Sequence, residues 1–154
     1  MREVTYSGPV PEQLDVRLER RDTSPLPPQA LVRFQMITRS KRAYLNYRWV
    51  LYEDGRWFLA RHSPEVDDWQ VPFDTDLPSK PTGRLPAKVV DEVKKRLGET
   101  KFLDQPPYLA NRSVKDGDFF VVTARSEGRV QEVIYEAVSP PPVDYLAAFV
   151  STYK

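Results

Sequence analysis

His62 is the only histidine in the chain, so any histidine-dependent chemistry must run through it. Ser63, Glu65, Asp67 and Asp68 follow closely and supply the residue types of a nucleophile and an orienting acid. Such a triad works only when its three groups meet in space. Neighbours in an irregular stretch rarely do, and no GxSxG or HExxH frame surrounds them. A surface histidine at a strand end is the simpler expectation, and a small hydrolase or ligand pocket involving His62 ranks third among the functional readings. Glu65, Asp67, Asp68, Asp74 and Asp76 carry the oxygen ligands of a hard cation, but their order is not that of a calcium loop, and Pro72 and Phe73 interrupt it. A solvated acidic loop accounts for them, and no metal site is expected. The six glycines form neither a GxGxxG nor a GxxxxGK cradle, so no phosphate-bearing cofactor is expected.

A second constellation is richer. Arg39, Lys41, Arg42, Arg48, Arg56 and Arg61 fall among Tyr44, Tyr47, Trp49, Tyr52 and Trp57. Arginines interleaved with aromatics stack bases and track phosphates in proteins that bind single-stranded nucleic acid. The same mixture is the composition of protein-interface hot spots. In the plainer alternative the large aromatics are core and the arginines decorate the sheet rim, stacking on rings.

Global charge does not favour nucleic acid. Twenty-three basic and 22 acidic residues leave a formal net charge of +1, which gives no long-range field for nucleic acid or an anionic membrane. Hydrophobic content of 40% and charged content of 29% fit a soluble globular chain, and 154 residues suit a single domain spanning 1–154. The chain has no cysteine, which removes disulfides, thiolate nucleophiles and thiolate metal sites. No apolar run reaches the ~18 residues of a membrane span, so no membrane partner is expected and the cytoplasm is the default compartment.

The elements that must position these residues follow from local pattern. Residues 44–61 place two aromatic and β-branched runs around Asp54-Gly55, which suits a two-residue type I′ turn. That turn pairs Tyr52 with Trp57, Leu51 with Phe58, Val50 with Leu59 and Trp49 with Ala60. Tyr47, Trp49, Leu51, Phe58 and Ala60 then share one face, and Arg48, Val50, Tyr52, Trp57, Leu59 and Arg61 share the other. Both faces are apolar near the turn, so each needs a cover.

The proline-containing segment 1–28 holds an alternating stretch at 14–20 that reads as an edge strand. Residues 30–38 alternate as a second strand. Residues 62–81 read as a long acidic surface loop, one that could fold back to neutralise the basic hairpin. Pro86 opens a helix with Val89, Val90, Val93 and Leu97 as its apolar stripe and Gly98 as its stop. Residues 99–118 read as an irregular link anchored by Phe102 and Leu103. A second hairpin turns at Glu127-Gly128, setting Val122 against Val133, Val121 against Ile134 and Phe120 against Tyr135. A C-terminal helix is expected after Pro142, with Val143, Leu146, Phe149, Val150 and Tyr153 at helical spacing. The order hairpin, proline-rich link, helix thus occurs twice, which good turn chemistry explains without duplication.

The expected fold is α+β: an antiparallel sheet of about six strands, built on two β-hairpins each followed by a short helix, with two helices mainly on one face. Two helices cannot cover both faces; the N-terminal strands or the loop around Trp69 and Phe73 are the first expected cover of the second, and whatever aromatic area they leave is the candidate surface for a partner. The leading expectation is a non-enzymatic protein-binding module, such as an inhibitor, immunity-type or adaptor protein. Its contacts to another protein would be Arg48, Tyr52, Trp57, Arg61 and, from the loop, Trp69. Single-stranded nucleic-acid binding through the same surface is the alternative.

Overall fold

The computed structural model describes residues 4–39, 46–61, 76–115 and 117–140. The elements in chain order are β1 (Tyr6–Gly8), α1 (Val16–Glu19), β2 (Ala30–Ile37), β3 (Tyr47–Tyr52), β4 (Arg56–Arg61), β5 (Gly83–Arg84), α2 (Ala87–Glu99), a 3₁₀ turn at Phe102–Asp104, β6 (Tyr108–Ala110), β7 (Phe119–Ser126) and β8 (Arg129–Glu136). The strands form one sheet in the order β1-β6-β8-β7-β2-β3-β4-β5. The fold is α+β as expected, but the described residues hold eight strands rather than about six. The sheet is also mixed, because β6 runs parallel to β8. The expected irregular link 99–118 contains both that strand and the 3₁₀ turn.

β2 is central and buried along nearly its whole length. Its alternation divides the sheet into two faces. Val32, Phe34 and Met36 point to the first face, where they meet Leu51, Trp49 and Tyr47 of β3 and Ala124, Val122 and Phe120 of β7. Helix α2 covers this face with Val90, Val93 and Leu97, joined by the fully buried Phe102. Pro86 is the N-cap rather than the first helical residue, and the helix passes through Gly98 to end at Glu99. The other expected anchor of the link, Leu103, is only half-buried.

On the second face lie Arg33, Gln35 and Ile37, opposite Val50 and Arg48 of β3 and Thr123, Val121 and Phe119 of β7. The N-terminal residues cover it at two places. Leu18 is buried against Ile37, Tyr108, Phe119, Val121 and Ile134, and Leu26 against Ala30 and Val50. The expected strand at 14–20 is instead the single helical turn α1. Asp15 caps it, its Oδ1 accepting from the Arg17 amide at 2.9 Å, and this local bond wins over the period-two pattern. The edge strand of the N-terminal segment is Tyr6–Gly8, paired with β6.

The two hairpins diverge in register. β7 and β8 pair as the sequence predicts, with Glu127 at φ 52 and Gly128 at φ 76 forming the two-residue turn. β3 and β4 are shifted by one residue from expectation: Leu51 faces Trp57, Val50 faces Phe58 and Trp49 faces Leu59. The loop has three residues, 53–55. The Gly55 amide donates to the Tyr52 carbonyl at 3.0 Å, and of the three only Gly55 takes positive φ, at 93°. Asp54 stays out of the left-handed region because its Oδ1 accepts from the Arg56 amide at 3.0 Å. A slip of one residue moves every β4 side chain to the opposite face. Trp57 therefore joins Trp49 and Leu51 on the first face, and Phe58 joins Val50 and Tyr52 on the second.

The expected C-terminal helix, His62, Trp69 and most of the acidic loop lie outside the described residues. Among the described residues no helix is long and apolar enough to cross a membrane.

Candidate functional site

The shifted register divides the five residues expected to contact a partner. Trp57 is 3% exposed and belongs to the core with Trp49, Leu51, Val90 and Val93. Its ring lies so close to Gly83 that a Cβ there would come within 2.7 Å of Nε1. Trp57 is thus a core residue and not a contact. Arg61 is exposed, and its guanidinium sits 5.5 Å from the Tyr47 ring, on the same side as Trp57. Arg48 and Tyr52 share the second face, both half-buried. Trp69 lies outside the described residues.

The second face carries two polar-aromatic features, one at the hairpin tip and one beneath the N-terminal segment. The first is at the tip of the β3–β4 hairpin. Tyr52 and Phe58 meet edge to face with centroids 5.5 Å apart. The Arg56 guanidinium caps both rings, 5.0 Å from Tyr52 and 5.9 Å from Phe58. Arg56 is held in turn by Asp54, whose Oδ2 accepts from Nε at 2.7 Å. The Arg56 amide bond, with the guanidinium beside it, keeps the Asp54 carboxyl below its ordinary pKa. Arg84 donates to the Asp54 carbonyl at 3.0 Å from the neighbouring strand. All three members of the cap are half-buried, so a cation over two rings is presented in one fixed arrangement.

The second feature is a polar cleft between the N-terminal segment and β3, lined by Arg20, Arg21, Asp22, Thr23, Ser24, Arg48 and Asp76, with a volume of about 490 Å³. Its floor is a network reaching into the sheet. The Gln35 amide side chain clamps the Asp22 backbone, Oε1 accepting from the amide at 2.7 Å and Nε2 donating to the carbonyl at 2.9 Å. Asp22 Oδ2 pairs with Arg48 Nη1 at 2.6 Å, while Arg33 lies further away, at 3.8 Å from Oδ1. Arg33 also donates to Ser24 Oγ at 3.2 Å, and Arg21 pairs with Glu132 at 3.1 Å. Burial acts to raise the Asp22 pKa, but the Ser24 hydroxyl and amide, with Arg33 and Arg48, hold it below its usual value. Burial lowers that of Arg33, which is 2% exposed.

The sequence signal for this cleft is Arg33 and Gln35 alternating with Val32, Phe34 and Met36 in a strand that turns out to be central. Polar residues at that spacing read as a solvated face when nothing is known to lie over them. Among the described residues no group of three histidine, cysteine or carboxylate side chains is arranged to hold a metal ion. The chain matches no protein-family model, no curated protein and no solved structure.

Proposed function

We propose that the protein is a non-enzymatic protein-binding module of inhibitor, immunity or adaptor type, and that it presents the outer end of the β3–β4 hairpin to another protein. The observation that carries this reading is the cap of Arg56 over Tyr52 and Phe58. Arginine and tyrosine dominate interface hot spots because they bring large contact area together with directed hydrogen bonds. Here they are already immobilised by Asp54 and by each other, so little side-chain entropy remains to be lost on association. Burial of Trp49 and Trp57 in the core removes both described indoles as base-stacking platforms, which lowers the case for single-stranded nucleic acid.

The test is capture from native extract with wild-type protein beside Arg56→Glu and Tyr52→Ser, each checked for an unchanged circular dichroism spectrum. A discrete protein retained by wild type at both low and high salt, and lost by both variants, is the expected result. Nucleic acid retained only at low salt would transfer the surface to the alternative reading. A partner bound equally by all three proteins would overturn the assignment of the surface.

A further inference from the structure

Arg56 and Arg84 stand directly opposite each other where β4 pairs with β5, so both side chains belong to the face of Tyr52 and Phe58. Like charges so placed repel unless an anion lies between them. Asp54 serves only one of the two. Its Oδ1 accepts from the Arg56 amide at 3.0 Å and its Oδ2 from Arg56 Nε at 2.7 Å. Arg84 receives no carboxylate and donates through Nη1 to the Asp54 main-chain carbonyl at 3.0 Å. Both guanidiniums are thereby tied to one residue, which keeps them within its span. The two Nη groups of Arg56, and Nε and Nη2 of Arg84, have no acceptor among the described residues. Lys80 is exposed on the stretch between Leu77, which packs with Tyr52 against Val50, and β5, and it forms no ion pair among the described residues. Glu53, the other carboxylate of the loop, is exposed; counted with Asp54, it still leaves three cations facing two acids around the tip.

We propose that the partner engages the hairpin tip through an acidic segment, one carboxylate bridging the guanidiniums of Arg56 and Arg84 while an adjoining apolar side chain packs on Tyr52 and Phe58. This rests on the hairpin-tip reading and adds the chemistry of what binds there. A carboxylate offers two oxygens to the parallel N–H donors of a guanidinium, and placed between two of them it removes their mutual repulsion. A protein segment suits the tip better than a nucleic acid. Arg56 lies over both rings, and the rings meet at 71°, so no flat platform is presented to a base. Charge complementarity of this kind sets which partner is accepted more than how tightly it is held.

The test titrates the full chain with a short acetylated, amidated peptide of alternating glutamate and leucine. Beside it run the same peptide with glutamine for glutamate and an oligothymidylate of similar length, at matched ionic strength. Backbone amide NMR shifts are the readout. The expected result is saturable millimolar binding of the glutamate peptide, with shifts concentrated at residues 52–58 and 83–85. Arg84→Gln, at an exposed position that leaves the cap over the rings in place, should weaken it about fivefold, the upper worth of one exposed ion pair. Arg129→Gln, at the far hairpin turn, should leave it unchanged. A glutamine peptide that shifts the same residues as strongly, or equal binding by wild type and Arg84→Gln, would overturn the carboxylate bridge while keeping the tip as a binding surface. Tighter binding of the oligothymidylate would overturn the acidic segment in favour of phosphate. Absence of tip shifts with either peptide would also overturn it, and capture lost by Tyr52→Ser would then decide the hairpin reading separately.

Discussion

The register of the β3–β4 hairpin decides which aromatic residue is core and which is surface, and two substitutions read it directly. Trp57 is 3% exposed, whereas Phe58 is half-buried on the opposite face. Burying an indole removes on the order of 200 Å² from water, which at about 25 cal/mol per Å² is about 5 kcal/mol. The alanine left behind keeps about 1 kcal/mol of that, so Trp57→Ala should cost about 4 kcal/mol, inside the range for large-to-small changes in cores. With a urea slope of about 2 kcal/mol/M, the unfolding midpoint falls by about 2 M. Phe58→Ala removes a ring that is only partly out of water and should cost about 1–2 kcal/mol, shifting the midpoint by less than about 1 M.

The measurement is equilibrium urea unfolding followed by far-ultraviolet circular dichroism, a signal that does not depend on the tryptophan being replaced. A register set by a two-residue Asp54-Gly55 turn would reverse the order, with Phe58 in the core and Trp57 outside. A Phe58→Ala variant less stable than Trp57→Ala would therefore refute the observed pairing and the core assignment built on it.

Further predictions concern the loop, the polar network and the buried phenols. Gly55→Ala should destabilise by about 1–3 kcal/mol, because φ is 93° and the new Cβ would collide with the Leu85 carbonyl, whereas Gly128→Asn, at φ 76° in open space, should cost well under about 1 kcal/mol; equal urea midpoints for the two variants would contradict this. Gln35→Leu leaves the Asp22 amide and carbonyl without their partner and should lower stability by about 1–3 kcal/mol, with faster hydrogen exchange confined to residues around 22; exchange unchanged there would remove the clamp from the account. The folded-state pKa of Asp22 is depressed, so its contribution is complete above the unfolded value of about 3.9 and is lost as pH falls through the folded value. Asp22→Asn should accordingly flatten the acid limb of the stability profile below about pH 4, and an acid limb as steep as in wild type would count against it. Tyr108 and Tyr135 are raised, both by burial first, and Tyr108 also by donating to Glu136 Oε1 at 2.5 Å. What they contribute is intact below the unfolded value of about 10 and lost as pH rises through the folded values, so absorbance titration should show both phenols ionising above the ordinary value of about 10. Early ionisation that disappears in Tyr108→Phe and Tyr135→Phe would refute this.

How much of this was legible in the sequence depended on whether the deciding interaction was local. Val90, Val93 and Leu97 lie three and four apart, and periodicity alone puts them on one helix face. Glu127-Gly128 pairs as expected because both turn residues take positive φ with nothing to oppose it. Asp54-Gly55 carries the stronger turn signature yet turns differently. The Asp54 side chain finds its own amide acceptor role with Arg56, and β5 fixes the loop from outside, the Leu85 amide donating to the Gly55 carbonyl at 2.8 Å. That second contact spans thirty residues, and no local pattern encodes it. The parallel strand β6 was missed for a related reason: three residues, Tyr108–Ala110, are too few to show alternation, and only β1 and β8 on either side make them a strand. For the candidate site, composition picks out Arg48, Tyr52 and Arg56, whereas Phe58, and the cap Arg56 forms over it, need the true register.

The polar centre of the second face has a structural consequence of its own. Leu18 and Leu26 bury themselves at two separate apolar patches, and apolar contact alone would allow the N-terminal segment to slide between them. The residues between are positioned by directed bonds instead: the Gln35 side chain is satisfied only where one residue offers it an amide to accept from and a carbonyl to donate to, and Arg48 meets a carboxylate at that same residue, Asp22. A register error of one residue along the segment would break both at once and leave Gln35, which is fully buried, unsatisfied. The network therefore selects one placement of the segment over its neighbours, the use for which buried polar groups are best attested. The same selection holds Arg20, Arg21 and Ser24 at the cleft, so the residues that cover the sheet are also those that shape its charged opening.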